Sequence, residues 1–503
     1  MLFILAENEY TLAPVLLLFL CLSVLFICVQ LHLRYRGLRH IPGPFVARFT
    51  DLYLAFKTWT NHSPIDLHLE LHDKYGRVVL YGPRRVLFSD PSAIPIIFNT
   101  KNPLRKGESY ETTSQAVKGK VIHTIVAIRD EARVTAMKKH IISAFTTTAI
   151  LDYEHHIDIN IRRLMKHLSS AGDEVDISEW NSAYSYDTIC RVAFSEDQGV
   201  LDAHKEASLL FKAGRDRFEH WYTWLSLPGL ERLIFKNKMV TWKTGTSPLG
   251  QMATARLMKR TEDGGLGSHH DLLDRYLQAG TKNPQLFTPP TIIGLALSTI
   301  HAGAETTAHS LTVTLFHLIR HPRVMASLRA ELDGTKLSSP PLWTEVKNLP
   351  YLEAVIKESG RISPLLIGPV EREVPAGGME IAGTYVPGGT IVAMNVHALN
   401  RDPNIWGADV DVFRPERWLE AEPAQLALME RSNLYFSAGR RLCIGQHIAW
   451  IEMKKYLPEF LGRFDIELKH PEKPLKVNRV TMVYTVEEML IKLTPRTAWP
   501  RVE

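Results

Sequence analysis

Cysteine is scarce in this chain. Its 503 residues hold four, Cys21, Cys28, Cys190 and Cys443, with no Cys-x-x-Cys pair. That excludes a disulfide framework and the multi-cysteine sites of structural zinc and iron–sulfur clusters, and it suits a body kept in a reducing compartment. Runs of arginine and lysine are also missing, and a net charge of +5 is small for this length, so nothing marks a nucleic-acid face. There is no internal repeat and no Pro/Ser-rich linker. The glycines at 264, 265 and 267 do not complete a dinucleotide fingerprint; residues 262–270 read as a flexible loop with solvated histidines at 269 and 270. Charged and apolar fractions of 22% and 45% are those of a globular protein, and one large domain fits them.

Long apolar runs are absent except for one. Residues 12–29 carry no charge, and extension to Leu33 reaches the roughly 20 residues that cross a bilayer. Glu7 and Glu9 precede the run; Arg34, Arg36 and Arg39 follow it. An acidic start and a basic cluster after the run disfavour a cleaved signal peptide. By the positive-inside tendency the body faces the cytosol. The expected organisation is a short lumenal segment 1–11, a transmembrane signal anchor 12–33, a basic and proline-rich hinge 34–50 containing Ile41-Pro42-Gly43-Pro44, and a catalytic domain 51–503. The sequon Asn61-His62-Ser63 would then face the cytosol and stay unused.

What the chain does have is one enclosed thiol. Cys443 sits in Tyr435-Phe436-Ser437-Ala438-Gly439-Arg440-Arg441-Leu442-Cys443-Ile444-Gly445. Glycines on both sides let the backbone turn tightly and approach a flat ligand. Arg441 suits an anionic group on that ligand. A single thiolate among backbone amides and a cation is a ligand for a soft or borderline metal; a haem iron needs only one such protein ligand on its proximal side.

The body is otherwise helical by pattern. Residues 78–88 read as a β-hairpin around Gly82-Pro83, and residues 99–125 as a long functional loop. Apolar spacing of three and four marks helices over 154–168 and 177–193. Trp221, Trp224 and Trp242 either fill the core or meet a membrane interface. Thr288-Pro289-Pro290 starts a helix, with a capping hydroxyl followed by proline, that runs to about Arg320. Midway lies Ala302-Gly303-Ala304-Glu305-Thr306-Thr307, where small residues allow close approach to the backbone and Ala302 shares a face with Thr306. Glu358 and Arg361 lie three apart on another helix.

The run Phe436…Gly439…Arg441…Cys443…Gly445 resembles the haem-binding signature of the cytochrome P-450 (haem-thiolate monooxygenase) family at all five defining positions. Three further segments occur in the family's order: Ala302–Thr307, Glu358-Ser359-Gly360-Arg361, and Phe413-Arg414-Pro415-Glu416-Arg417-Trp418. The stretches Glu371-Arg372-Glu373-Val374-Pro375 and Val386-Pro387-Gly388-Gly389-Thr390 look most like fungal members of the pisatin-demethylase type.

The resemblance implies a mainly α fold, one large domain with small β-sheets plus one N-terminal transmembrane helix. It implies haem with Cys443 as axial iron ligand, cradled by Phe436, Gly439, Arg441, Gly445 and Ala302. Thr306 stabilises dioxygen and Glu305 helps relay protons. Glu358, Arg361 and Arg417 form a buried network behind the haem, for folding and haem retention. The reaction inserts one atom of O₂ into an apolar small molecule, in fungal secondary metabolism. The expected partner is an NADPH-dependent membrane reductase, since no flavin or nicotinamide domain follows Cys443; the expected location is the endoplasmic reticulum membrane. The alternatives are a haem-thiolate isomerase or dehydratase working without O₂, and a non-catalytic membrane haem-binding protein; Glu305-Thr306 speaks against both.

Three departures from the family stand out. Val134 and Lys138 occupy the helix positions of an aromatic or histidine and a propionate-binding arginine, so Arg372 and Arg441 are expected to carry more of that contact. Gly360 replaces a leucine or methionine inside a helix, at a propensity cost of about 1 kcal/mol. His301 replaces an apolar residue; it reads as a helix histidine satisfied by a neighbour, with a polar substrate contact as the alternative.

Overall fold

In the computed structural model, the described residues are 37–496 except 204–207, 243–244, 265–266 and 268, preceded by 15–19, 21–23, 25 and 29. The architecture is mainly helical with small sheets. We label the helices that build the site α1 (Glu131–Ile141), α2 (Ile150–Ser170), α3 (Ile177–Phe194), α4 (Ser208–Trp224), α5 (Pro289–Arg320), α6 (Pro322–Asp333), α7 (Pro350–Ile362) and α8 (Gln446–Arg463).

α5 is 32 residues long, about 48 Å at 1.5 Å per residue, and crosses the whole body. It is buried on nearly every face from Thr307 to Leu318, so the hydroxyls and histidines there lie inside the core and form no solvated face. α3 packs along it, fixed by a polar tie inside the core: Asn181 Nδ2 donates to Thr312 Oγ1 at 2.9 Å, and the Tyr456 hydroxyl of α8 donates to Asn181 Oδ1 at 2.6 Å. Proline starts α5, but Thr288 does not cap it. Its hydroxyl meets that of Thr291 at 3.0 Å instead.

One five-stranded sheet matters for the site. In spatial order its strands are β1 (Val78–Gly82), β2 (Arg85–Phe88), β5 (Ile391–Met394), β4 (Arg372–Glu373) and β3 (Arg105–Lys106). β1 and β2 form the expected hairpin, and β5 joins β2 in parallel. The register places Lys106 directly opposite Arg372. Residues 99–125 are thus not one long loop. They contain β3, a 3-10 segment Glu108–Thr113 and a small hairpin, Gln115–Val117 with Lys120–Ile122.

Leu38 and Ile41 are buried, and the Pro42 carbonyl accepts from Leu80 N–H at 2.7 Å. Residues 38–44 therefore dock on β1 as a packed segment. The expected anchor 12–33 and the segments 1–11 and 34–36 fall largely or wholly outside the described residues; positions 15–19, 21–23, 25 and 29 are helical. Among the described residues, no helix is long and apolar enough to cross a membrane.

Candidate functional site

The thiol loop is closed by Cys443 N–H donating to the Phe436 carbonyl at 3.0 Å. Gly439 turns it with φ +66°, a left-handed conformation that disfavours a side chain, and a Cβ there would collide with the Phe98 carbonyl. Gly445 ends the loop, and α8 begins at Gln446. Cys443 has accessible surface yet is enclosed at longer range by protein. That enclosure raises its thiol pKa, while the backbone amides of Gly445 and Gln446 and the ammonium of Lys138 pull the other way. Amides and a cation aimed at one sulfur suit a thiolate whose charge is shared with a metal.

Ala302 is exposed, and Thr306 on the same face is partly so, on an otherwise largely buried helix, marking a space within the core. The Thr306 hydroxyl donates back to the Ala302 carbonyl. Such back-bonding loosens the ladder locally. Of the three small residues expected to admit a ligand, Gly303 serves another purpose. A Cβ on it would strike the Ile189 side chain, so its smallness lets α3 approach α5. Glu305 is buried, and burial raises its carboxyl pKa to about 7, with Arg215 opposing. A carboxyl poised near neutrality suits proton transfer.

His301 lacks the neighbour expected to satisfy it. Both ring nitrogens are buried without a hydrogen-bond partner among the described residues. Burial lowers the imidazole pKa to about 4, and the charge of Arg217, itself a donor, adds to the effect.

The residues expected to hold an anionic edge divide unevenly. Arg441 is committed: its guanidinium holds Glu131 of α1 by three hydrogen bonds of 2.7–2.9 Å and reaches the Ile128 carbonyl at 2.8 Å. It ties the thiol loop to α1, and its share of any anion is correspondingly reduced. Lys138 Nζ donates to the Arg440 carbonyl at 2.9 Å, while Val134 is a core side chain. Arg372 Nη1 donates to the Glu371 carbonyl at 2.9 Å, and its guanidinium lies 5.1 Å from the Phe98 ring centroid.

The sequence reading missed Lys106. It is buried, donates from Nζ to the Val126 carbonyl at 3.0 Å, and sits 4.1 Å from the Tyr110 ring centroid. Burial lowers its pKa far below the ordinary range, and Arg441, Arg372 and Lys138 add to the effect. Like charges directly opposed across a sheet destabilise it, and Lys106 faces Arg372 in register. Glu371 is no remedy, because it already holds Arg85, the Tyr81 hydroxyl and the Ser109 hydroxyl. Among the described residues, Lys106, Lys138 and Arg372 form no ion pair. Three basic side chains without an ion-pair partner, beside a lone thiol and a partly open turn of α5, fit a flat ligand with an acidic edge, as haem is with its propionates. The only hint in the sequence was Arg105-Lys106 within a segment read as loop.

Behind the thiol loop, Glu358 and Arg361 pair at 3.0 and 2.8 Å. Arg417 Nε and Trp418 Nε1 each donate to Glu358 at 2.9 Å. Arg361 also donates to the Asn400 and Val410 carbonyls at 2.8 and 2.7 Å, and Arg417 to the carbonyls of Asp409 and Val412. All donors are directed, so the buried charges are satisfied. Gly360, the expected weak point of α7, is occupied by a neighbour: a Cβ there would lie 2.7 Å from Tyr435 Cδ2.

Comparison with known proteins agrees with this geometry. The sequence model of the family described as Cytochrome P450 matches residues 44–493. A cytochrome P450 monooxygenase of Aspergillus terreus is 33% identical over 481 residues, spanning 91% of this chain and 96% of that protein. Cytochrome P450 monooxygenase cicH of Emericella nidulans is 34% identical, spanning 90% and 92%, and pkfB of the same organism is 32% identical, spanning 90% and 91%. A lone thiol in a glycine-bounded loop, a notched helix with an acid–alcohol pair and a buried cation cluster thus occur in a chain that belongs to the cytochrome P450 family, oxidoreductases of the monooxygenase class that use haem with an axial cysteine thiolate, O₂ and electrons from a reductase.

Proposed function

We propose that this protein is a membrane-anchored monooxygenase that oxidises an apolar small molecule of fungal secondary metabolism, with electrons from an NADPH-dependent membrane reductase. The observation that carries the reading is the buried Glu305, its pKa raised to about 7 by burial, next in the chain to Thr306 on the partly open turn of α5. Haem bound at Cys443 supplies the oxygen chemistry. The chain's own work is to hold the thiolate with the Gly445 and Gln446 amides, to neutralise an acidic edge with Lys106, Lys138 and Arg372, and to deliver protons from the Glu305 carboxyl through a hydroxyl or water. Phe436, Gly439, Gly445 and Ala302 shape the cradle. The stretches at 371–375 and 386–390 support a pisatin-demethylase-type placement.

Membrane attachment is supported by two exposed apolar segments. Phe45, Leu52 and Phe56 lie on one, and Leu233, Met239 and Trp242 on the other. They adjoin through Trp59, Trp224 and Phe235, whose rings stack edge-on at 5.9 and 5.2 Å. Trp221 is buried, so of the three tryptophans singled out, Trp242 is the one disposed toward an interface. With the apolar run at 12–33, this supports an endoplasmic reticulum membrane location with the body in the cytosol. For the reductase, a groove of about 930 Å³ opens beside the thiol loop, lined by Phe436, Gly439 and Leu442 and by charged side chains that include Lys347, Lys357 and Glu430. The test is reconstitution with a fungal NADPH reductase and lipid vesicles. Substrate-dependent NADPH and O₂ consumption with oxygen incorporated from ¹⁸O₂ is expected. Product formed without NADPH would overturn the reading.

A further inference from the structure

Tyr435 immediately precedes the thiol loop, yet its contacts lie on three helices. Its ring fills the notch left by Gly360 of α7, stands 4.7 Å from the ring of Phe436, and its hydroxyl lies 3.8 Å from the Met453 sulfur of α8. The same hydroxyl donates to Ser310 Oγ at 2.5 Å. Ser310 in turn donates to the Thr306 carbonyl at 2.9 Å, one turn along α5 from where Thr306 donates to the Ala302 carbonyl. Thr314 continues the pattern, donating to the Ser310 carbonyl at 2.7 Å. One stripe of α5 therefore carries successive side-chain bonds to its own carbonyls, each competing with the helix ladder. Tyr435 is the hydroxyl from outside the helix that joins this stripe.

We infer that Tyr435 is a positioning residue that sets the Ala302–Thr306 turn of α5 against the thiol loop, and that Gly360 is glycine to admit it. The inference rests on the reading of Thr306 as the residue facing dioxygen, but the mechanical link stands without it. Donation from Tyr435 leaves Ser310 oriented with its own proton toward Thr306, so the loosened turn has one geometry. Without the phenol, Ser310 can rotate and the turn gains a second state.

The test uses the haem-loaded full chain with purified NADPH reductase. Tyr435→Phe keeps the ring in the notch and removes only the hydroxyl. Haem content and the carbon-monoxide spectrum should match the parent. Hydrogen exchange in peptides covering 300–314 should speed up about fivefold, the size expected for one lost hydrogen bond, and peroxide released per NADPH should rise. Ser310→Ala should do the same, and the double variant should go no further than either single one. Unchanged exchange and peroxide yield in Tyr435→Phe, beside a raised peroxide yield in Thr306→Ala, would overturn the inference. If instead Thr306→Ala leaves peroxide unchanged while Tyr435→Phe speeds exchange, the reading of Thr306 fails and the link survives. For the notch, Gly360→Ala should lose haem, and adding Tyr435→Leu should restore it; failure to restore overturns that half of the inference.

Discussion

Cys443 is the residue on which everything else is arranged, and burial alone works against its useful form. Its thiol pKa is raised, so the sulfur becomes a stable thiolate only when a metal takes up its charge. Cys443→Ser should abolish the red-shifted carbon-monoxide band of thiolate-bound ferrous haem; an unaltered band would remove Cys443 as the ligand. Lys106 stands at the other edge of the same space, opposite Arg372 in register. Its buried charge is tolerable when an anion lies beside it. Lys106→Met should weaken haem retention, measured as faster transfer of haem to apomyoglobin. The unloaded protein should be stabilised by the same change, because a buried amine whose hydrogen bond goes to the Val126 carbonyl is replaced by an apolar chain. Slower haem transfer, or a destabilised unloaded protein, would contradict this account.

At the scale of elements, the Glu358 network is what holds α7 to the segment that follows residue 400. Glu358 accepts from Arg361, Arg417 and Trp418 at once, and losing it would strand two buried guanidinium groups. Glu358→Gln should therefore cost about 3–5 kcal/mol of stability, seen in denaturant titrations of the unloaded chain, with haem content falling in parallel. A change within a few tenths of a kcal/mol would show that the network is dispensable. The pairing of α3 with α5 explains a neighbouring detail. Gly303→Ala should disturb packing against Ile189, and Ile189→Val should relieve it in part.

For the molecule as a whole, pH and membrane attachment are the informative variables. His68, His317 and His397 are buried with pKa values lowered to about 3, and His309 to about 4, chiefly by burial. In the unfolded chain each titrates near 6.5, so between about pH 6.5 and 4 the unfolded state binds more protons. Their contribution to stability is complete above 6.5 and is lost as pH falls through that window. Glu305 runs the other way: with its pKa raised to about 7, its contribution is complete below about 4.5 and is lost as pH rises toward 7. The lowered histidines, which also include His156 and His301 at about 4, outnumber the carboxyls raised by burial, Glu305, Glu452, Asp158 and Asp187. The melting temperature should fall on acidification from pH 6.5 to 5, and His317→Gln should flatten that slope. A melting temperature rising over the same interval would contradict the burial of these rings. Membrane attachment is tested by flotation: removal of residues 1–36 should reduce it, and adding Met239→Ser and Trp242→Ser should reduce it further. Undiminished flotation of both would show that other surfaces suffice.

Much of the site could be read along the chain because the chemistry needs neighbours within a single turn. The thiol, its amides and its glycines lie within the eight positions 439–446, and Glu305 and Thr306 are adjacent on α5; local backbone geometry alone sets where they stand. Glu358 and Arg361 are the same case at a spacing of three. The rest depends on segments that only packing brings together. Lys106 faces Arg372 through strand pairing across more than 260 positions, and β3 is too short to announce itself as a strand. Gly303 was expected to serve a ligand and serves Ile189. Gly360 looked like a weak point and is filled by Tyr435. Arg441 was expected at the acidic edge and is claimed by Glu131. Residue types and short spacings thus specify which chemistry this chain performs. Which basic side chains gather near the thiol loop, and which ring reaches Ser310, follows from burial, since contacts between distant segments exist only once the core has closed around them.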